Sequence, residues 1–160
     1  MAEVDMAETS DTRTGGCMCG AVRYETRGPS FAVIHCHCLS CRRHNGGPLV
    51  TLAGYTADQV AFSGEPRRIY ASSPGVGRAF CGTCGTPLTW EGDGGERGPI
   101  IEFHISTFDD PSGLVPSAHA FYPERLPWMD TADGLPRHQG FTEDSPVLRR
   151  RPADEGLPQG

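Results

Sequence analysis

Seven cysteines in three clusters constrain this chain more than any other feature of its sequence. They form a pair, a triple and a second pair: Cys17 and Cys19; Cys36, Cys38 and Cys41; Cys81 and Cys84. A single turn of chain can aim the three closely spaced thiols of the triple at one point, as in thiolate metal sites. A wholly disulfide-bonded chain would leave one thiol over. The clusters therefore predict reduced metal ligands.

The cysteines divide most simply into a site of four and a site of three. The two pairs would close one saturated four-cysteine site of the structural kind. The cysteine triple would form an unsaturated site, where water or an incoming thiol takes the fourth position of a tetrahedral metal. Two alternatives stay open: the triple could recruit an outside cysteine, or His35, His37 or His44 could complete it. Zinc suits both sites, although iron can replace it among sulfur ligands.

Short β-branched and aromatic stretches between frequent turn residues indicate a mainly β fold. The 21 glycines and 14 prolines interrupt the chain at intervals shorter than an ordinary helix. We predict small antiparallel sheets with few or short helices, and strands at 15–25, 31–36, 48–55, 59–62, 67–71, 89–91 and 99–106. Cys17 and Cys19 would then share one face of the first strand, because strand side chains alternate.

The charge balance argues against a nucleic-acid binder. A formal net charge of −6 contrasts with the basic face that such proteins need. No apolar stretch approaches the roughly 18 residues of a membrane span. Residues 1–16 also lack the basic start and apolar stretch of a signal peptide. We therefore expect a cytoplasmic protein without a membrane or nucleic-acid partner.

One domain with two polar tails is expected. A chain of 160 residues is long enough for one domain with a real core and too short for two ordinary ones. We predict a disordered tail at 1–13, a zinc-binding domain at 14–137 and a second disordered tail at 138–160. Both ends are too polar to bury the apolar surface that would offset their ordering entropy.

Three motifs resemble those of the glutathione-dependent formaldehyde-activating enzymes (the GFA family), whose domain is shared with a centromere protein. They read GCMCGAVRY at 16–24, CHCLSCR at 36–42 and FCGTCG at 80–85, with a weaker likeness at 104–111 and Trp128. The resemblance implies a mostly β fold around two zinc ions. Its structural zinc would be bound by Cys17, Cys19, Cys81 and Cys84, and its catalytic-site zinc by Cys36, Cys38 and Cys41.

The resemblance also implies a carbon–sulfur lyase that joins glutathione to formaldehyde as S-hydroxymethylglutathione. Zinc with three thiolates carries a net charge of −1 and acidifies water poorly, so the open position suits a thiol better. A thiolate is the nucleophile that adds to an aldehyde carbon. Arg42, which could pair with substrate carboxylates, and His104, on a strand, are the predicted substrate-binding residues. The sequence names no general acid or base.

Two other functions stay open on the sequence alone. The domain could be a non-catalytic structural zinc module for protein interaction, if a histidine closes the second site. It could also be a redox switch in which thiols of the cysteine triple form a disulfide and release one zinc. The missing eighth cysteine favours the enzyme, because a purely structural site is normally saturated.

Overall fold

The computed structural model describes residues 11–142, which form ten strands and one α-helix. The elements are β1 Thr12–Gly16, β2 Val22–Arg27, β3 Ala32–Cys36, α1 Leu39–Asn45, β4 Val50–Thr56, β5 Val60–Gly64, β6 Arg68–Ser73, β7 Val76–Phe80, β8 Pro87–Asp93, β9 Pro99–His104 and β10 Ala118–Ala120. Short 3₁₀ turns lie at Ala57–Gln59, Gly95–Arg97, Ile105–Thr107 and Tyr122–Glu124. The predicted mainly β class is confirmed. In this described part, every helix is too short or too polar to cross a membrane.

The strands form two sheets. The small sheet has the order β1-β2-β5, and the large sheet has the order β10-β3-β4-β9-β8-β7-β6. Neighbouring strands are antiparallel except β10 and β3, which run parallel. Parallel neighbours require a long connection, and here most of the domain lies between the two. β10 thus places a distant part of the chain beside the strand that ends at Cys36.

The main core lies between the two sheets. Tyr24 of β2 stacks on Phe103 of β9 with ring centroids 4.0 Å apart. Phe108 packs edge-on against both rings, and Tyr55 is fully buried in the same cluster. Aromatic pairs in such geometries add about 0.5–1.5 kcal/mol beyond their buried area. This core covers one face of the large sheet, and the opposite face carries the cysteine triple.

The strand predicted over 15–25 is wrong in its middle, and the difference relocates two cysteines. A hairpin turn divides this stretch into β1 and β2. Gly20 has a positive φ of 78°, and its N–H donates to the Cys17 carbonyl at 3.0 Å to close the turn. Cys17 and Cys19 therefore lie at the tip of a hairpin rather than on one face of a strand.

Regular structure extends slightly beyond the predicted domain boundaries. β1 begins at Thr12, before the boundary predicted at residue 14. At the other end, the Gly140 carbonyl accepts a hydrogen bond from Phe121 N at 2.9 Å. Most of the two predicted tails, at 1–10 and 143–160, lies outside the described residues. The extent of the domain stays a prediction.

Candidate metal and substrate site

The two cysteine pairs meet between the β1–β2 hairpin and the turn after β7. Cys17, Cys19, Cys81 and Cys84 offer sulfur atoms that all lie within 4.8 Å of one another. The Cys17–Cys19 sulfur distance is 3.5 Å, and the Cys19–Cys81 distance is 3.8 Å. Four sulfurs bound at about 2.3 Å to a tetrahedral metal lie about 3.8 Å apart. The donor set fits such an ion, and the grouping is the predicted one.

Backbone N–H groups donate to two of these sulfurs. Cys17 Sγ accepts from Val22 N at 3.2 Å, and Cys81 Sγ accepts from Thr83 N at 3.4 Å. Such bonds favour the thiolate form. At Cys84, hydrogen bonds from Thr86 lower the thiol pKa to about 5. These hydrogen bonds stabilise thiolates at Cys17, Cys81 and Cys84, and a bound cation would neutralise their charge.

The cysteine triple lies where β3 ends and α1 begins. Cys36 is the last residue of β3, Cys38 is the N-cap of α1, and Cys41 lies within its first turn. The three sulfurs lie within 4.8 Å of one another, and Cys38 Sγ accepts from Cys41 N at 3.3 Å. Helix α1 is absent from the predicted elements. It returns Cys41 to the side of Cys38.

The three thiols of the triple differ in acidity. Hydrogen bonds with Cys36 and Cys41 lower the pKa of Cys38 to about 3. Hydrogen bonding to Cys38 in turn raises the pKa of Cys36. Thiols that share protons in this way need a cation beside them to ionise together. The donor set therefore fits a thiolate-bound metal ion.

Within residues 11–142, no histidine, cysteine or carboxylate joins the triple as a fourth ligand. The histidines that could have completed it point elsewhere. His35 Nδ1 lies 2.9 Å from a threonine hydroxyl, and His37 Nε2 lies 2.8 Å from His119 Nδ1. His44 packs edge-on against His104, with ring centroids 5.1 Å apart. One position of a tetrahedral metal is thus left for a ligand from outside this part of the chain.

Arg78 places a fixed positive charge beside the triple. Its side chain is buried, and its NH1 donates to Cys41 Sγ at 3.5 Å. Arg78 of β7 and Glu102 of β9 both pair with Trp90 of the intervening strand β8. Burial raises the pKa of Glu102 to about 7. A guanidinium here offsets part of the thiolate charge. No local sequence pattern identifies Arg78, because its contact with Cys41 depends on how β7 lies in the sheet.

Arg78→Met should weaken metal binding at the triple about 10-fold, the usual effect of losing a group that contacts a ligand. This change removes the positive charge but keeps most of the buried volume. The fold should therefore be preserved, and the four-cysteine site should keep its metal. A chelator titration of reduced, metal-loaded protein measures the two sites in turn. Arg27→Met, which removes an exposed arginine paired with Glu25, is the control. Equal metal retention in both variants would contradict the charge-balancing role.

The two predicted substrate-binding residues have different surroundings. Arg42 donates from Nε to the His37 carbonyl and from NH2 to the Glu124 carbonyl, both at 3.0 Å. It therefore connects α1 to the neighbouring backbone, and its role in substrate binding stays a prediction. His104 is buried at the end of β9, and burial is the main cause that lowers its pKa to about 3.

A cavity of about 360 Å³ opens beside His104. Its polar lining includes Asn45, Thr51, Thr86, Ser106 and Thr107. Val50 also lines the cavity, and it belongs to the packed cluster that contains Cys36 and Cys41. Val50 thus lies between the cavity and the triple, whose cysteines do not themselves line the cavity. Ligand pockets commonly span about 300–1,000 Å³, so this space suits a small polar molecule.

The family model described as "Glutathione-dependent formaldehyde-activating enzyme" matches residues 12–124, which include both cysteine sites. This chain belongs to that family. The resemblance of its three cysteine motifs to the GFA family is thereby confirmed. The match ends at residue 124, so the remaining described residues, which we call the 125–142 segment, lie outside it.

Two individual proteins are also similar to this GFA-family chain. One, from Halomonas elongata, is named "Putative glutathione-dependent formaldehyde-activating enzyme" and is 34% identical over 83 residues. That alignment covers 46% of this chain and 52% of the relative, so the chain spans about half of the relative's length. The other is a Rhodobacter sphaeroides protein of known crystal structure, with 19% identity and a TM-score of 0.49 over 78% of this chain and 99% of that one.

Proposed function

We propose that this GFA-family chain is a zinc-dependent enzyme that joins a small thiol to formaldehyde or a related aldehyde. The main support for this proposal is that the cysteine triple has no fourth ligand from residues 11–142 and lies near a cavity of about 360 Å³. A tetrahedral zinc held by the triple would keep one position for an incoming thiol. The family description and the name of the Halomonas elongata relative support glutathione as the thiol.

The reaction requires a thiolate and a proton for the aldehyde oxygen. A bond forms between the thiol sulfur and the aldehyde carbon, and the thiol proton ends on the former carbonyl oxygen. Zinc, when bound, would favour the thiolate form of an entering thiol at neutral pH. The reverse direction breaks the same carbon–sulfur bond and releases the aldehyde, which is the chemistry of a carbon–sulfur lyase.

His104 is the polar group best placed to contact the reactants. It lines the cavity, and its lowered pKa of about 3 keeps the ring neutral at pH 7. A neutral imidazole offers one N–H and one acceptor, so it can donate a hydrogen bond to an oxygen of bound glutathione. Both ring nitrogens of the adjacent His44 are buried without a hydrogen-bond partner among the described residues.

Exchange NMR with ¹³C-formaldehyde and glutathione tests the proposal. Thiols add to formaldehyde without a catalyst, so an enzyme is recognised by faster exchange between free aldehyde and adduct at an unchanged equilibrium. We expect the exchange rate to rise in proportion to zinc-loaded protein and to return to the buffer value after zinc is removed. An exchange rate equal to that in buffer would reject the proposal.

His104→Gln should raise the KM for glutathione about 10-fold, the effect of losing one hydrogen bond of about 1.4 kcal/mol. Zinc content should not change, because His104 belongs to neither cysteine site. Saturation curves at fixed formaldehyde give the measurement. His138→Gln changes a histidine that does not line the cavity and serves as the control. An unchanged KM would remove His104 from the substrate site.

A further inference from the structure

A row of three hydrogen-bonded side chains connects the cysteine triple to a residue outside the range that the family model matches. Asp133 Oδ2 lies 2.7 Å from His119 Nε2, and His119 Nδ1 lies 2.8 Å from His37 Nε2. His37 stands in the chain between Cys36 and Cys38. Because the match ends at residue 124, Asp133 belongs to the 125–142 segment. This segment is therefore linked to the residue that separates two thiols of the triple.

The two histidine rings are shielded from water. His37 and His119 are both 0% exposed, and their rings lie edge to edge with centroids 5.1 Å apart. Tyr122 packs edge-on against them at 5.3 and 5.4 Å. A ring N–H in such a place must find its acceptor within the protein. The hydrogen bonds of this row therefore decide how the rings are oriented.

The carboxylate of Asp133 sets the direction of each hydrogen bond in the row. Desolvation acts to raise the pKa of Asp133, but hydrogen bonds from Leu135 N, His119 and Arg137 outweigh it and hold the pKa well below its usual range. An ionised carboxylate can only accept, so His119 Nε2–H donates to it. When the His119 ring is neutral, its Nδ1 then accepts, and His37 Nε2–H donates to it. The carboxylate thereby selects one tautomer of each neutral ring.

His37 is held at its backbone and at its ring. Its N–H donates to the Ala120 carbonyl at 3.0 Å, and its own carbonyl accepts from Arg42 Nε at 3.0 Å. The hydrogen bond from its ring to His119 is a third attachment. This bond depends on Asp133, because Asp133 accepts a hydrogen bond from the other nitrogen of His119. Ligand geometry at a metal site depends on such supporting bonds around the ligating residues. These three bonds hold the residue that lies between Cys36 and Cys38 in the chain.

We propose that Asp133 is a positioning residue for the three-thiol metal site. Through His119 it orients His37, and His37 sets the relative placement of the Cys36 and Cys38 sulfurs around a bound zinc. The proposal rests on metal binding at the triple, as the proposed function does, but it does not require the thiol–aldehyde reaction.

The same region contains donors that resemble a metal site. His35, His119 and Asp133 offer atoms within 4.8 Å of one another. However, the Arg137 guanidinium lies 2.8 Å from Asp133 Oδ1 and places a positive charge where a cation would bind. Both His119 nitrogens are also engaged in hydrogen bonds. The hydrogen-bonded row accounts for these groups without an ion.

Asp133→Asn tests the proposal with little change in size. The asparagine side-chain oxygen can still accept from Leu135 N, which bonds to Asp133 Oδ1 at 3.0 Å. Its amide nitrogen can only donate to His119 Nε2, so this bond survives only if both rings change tautomer, and that change would leave a buried His37 Nδ1–H without an acceptor among the described residues. We expect zinc to leave the triple for a chelator about 10-fold faster than in the wild type, with the four-cysteine site unaffected. Asp93→Asn, at an exposed hairpin carboxylate that accepts from Gly95 N, is the matched control.

A spectroscopic measurement separates positioning from a general loss of stability. Cobalt(II) replaces zinc, and the difference between wild-type and Cys38→Ser spectra gives the sulfur-to-cobalt bands of the triple. These bands should shift in Asp133→Asn and return towards wild type in Asp133→Glu. His119→Gln breaks the ring bond while Asp133 and Arg137 are kept, and it should also release zinc about 10-fold faster.

Several results would overturn the proposal. Wild-type zinc release and wild-type cobalt bands in either Asp133→Asn or His119→Gln would do so. A lower Tm with unchanged bands would indicate a purely structural bond, and a third zinc lost in Asp133→Asn would identify a metal site instead. Exchange NMR is run on the same samples. If the wild type exchanges no aldehyde while zinc release still responds to Asp133→Asn, the proposed reaction fails and the positioning role stands.

Discussion

Cys38→Ser should lose one of two bound zinc ions and keep the fold of the domain. Cys38 Sγ caps α1 by accepting from Cys41 N at 3.3 Å, and serine is a favourable N-cap whose oxygen can take over this bond. A hydroxyl is a far weaker zinc ligand than a thiolate. Thiol–aldehyde exchange should fall by at least about 100-fold, because losing even a supporting residue of a metal site costs about 10–100-fold. Elemental analysis, thermal unfolding and exchange NMR measure the three effects.

Ser40→Ala is the matched control for this variant, since it alters a residue of α1 that belongs to neither cysteine site. It should keep both zinc ions and full exchange. Full exchange in Cys38→Ser would exclude the triple as the place of reaction. Loss of one zinc from Cys38→Ser, together with a wild type that never accelerates exchange, would favour a non-catalytic zinc module.

Cys81→Ser should unfold the domain or lower its Tm by more than about 10 °C. Cys81 is buried and packs in a cluster with Val22 and Leu88. The four-cysteine site joins the β1–β2 hairpin of the small sheet to the turn after β7 of the large sheet. Structural zinc sites contribute about 10–16 kcal/mol of apparent binding energy to folding, so a lost ligand should cost more than about 4 kcal/mol. At about 2–4 °C per kcal/mol, a loss of about 4 kcal/mol lowers Tm by about 8–16 °C, and a larger loss lowers it further.

Circular dichroism during heating and zinc content per chain measure this effect. Thr83→Ser, in the same turn, keeps the backbone N–H that donates to Cys81 Sγ and should unfold within a few degrees of wild type. A Cys81→Ser protein that unfolds as late as this control would show that the four-cysteine site does not hold the sheets together. The contrast with Cys38→Ser therefore separates a structural zinc from an exchangeable one.

The cysteine sites could be predicted from sequence because ligand chemistry demands particular residues at short spacings. The mainly β class also followed from local composition. Helix α1 was missed, although two local signals were present. Gly46, with a φ of 73°, ends the helix as a glycine C-cap, and basic residues occupy the last turn. Its N-cap is Cys38, and cysteine is not among the residues that usually mark a helix start.

Arg78 and Asp133 could not have been found by such local reasoning. Arg78 reaches Cys41 only because β7 lies in the large sheet at a particular register. Asp133 reaches His119 because the 125–142 segment runs along β10, where His119 forms an isolated bridge with Arg137. Both contacts join residues far apart in the chain, and no short pattern records which strands become neighbours.

Because β10 pairs with β3, the two cysteine sites become complete at different times while the chain is being synthesised. The four-cysteine site has all its ligands once residue 84 has been made. The triple has its thiols earlier, but the ring that holds His37 comes from His119, and the carboxylate behind it comes from Asp133. Contacts between distant parts of a chain form late, because they carry a large loop-closure cost. A growing chain can therefore bring the four-cysteine site together while the triple still lacks its support, and full placement of the three thiols is among the last events of folding.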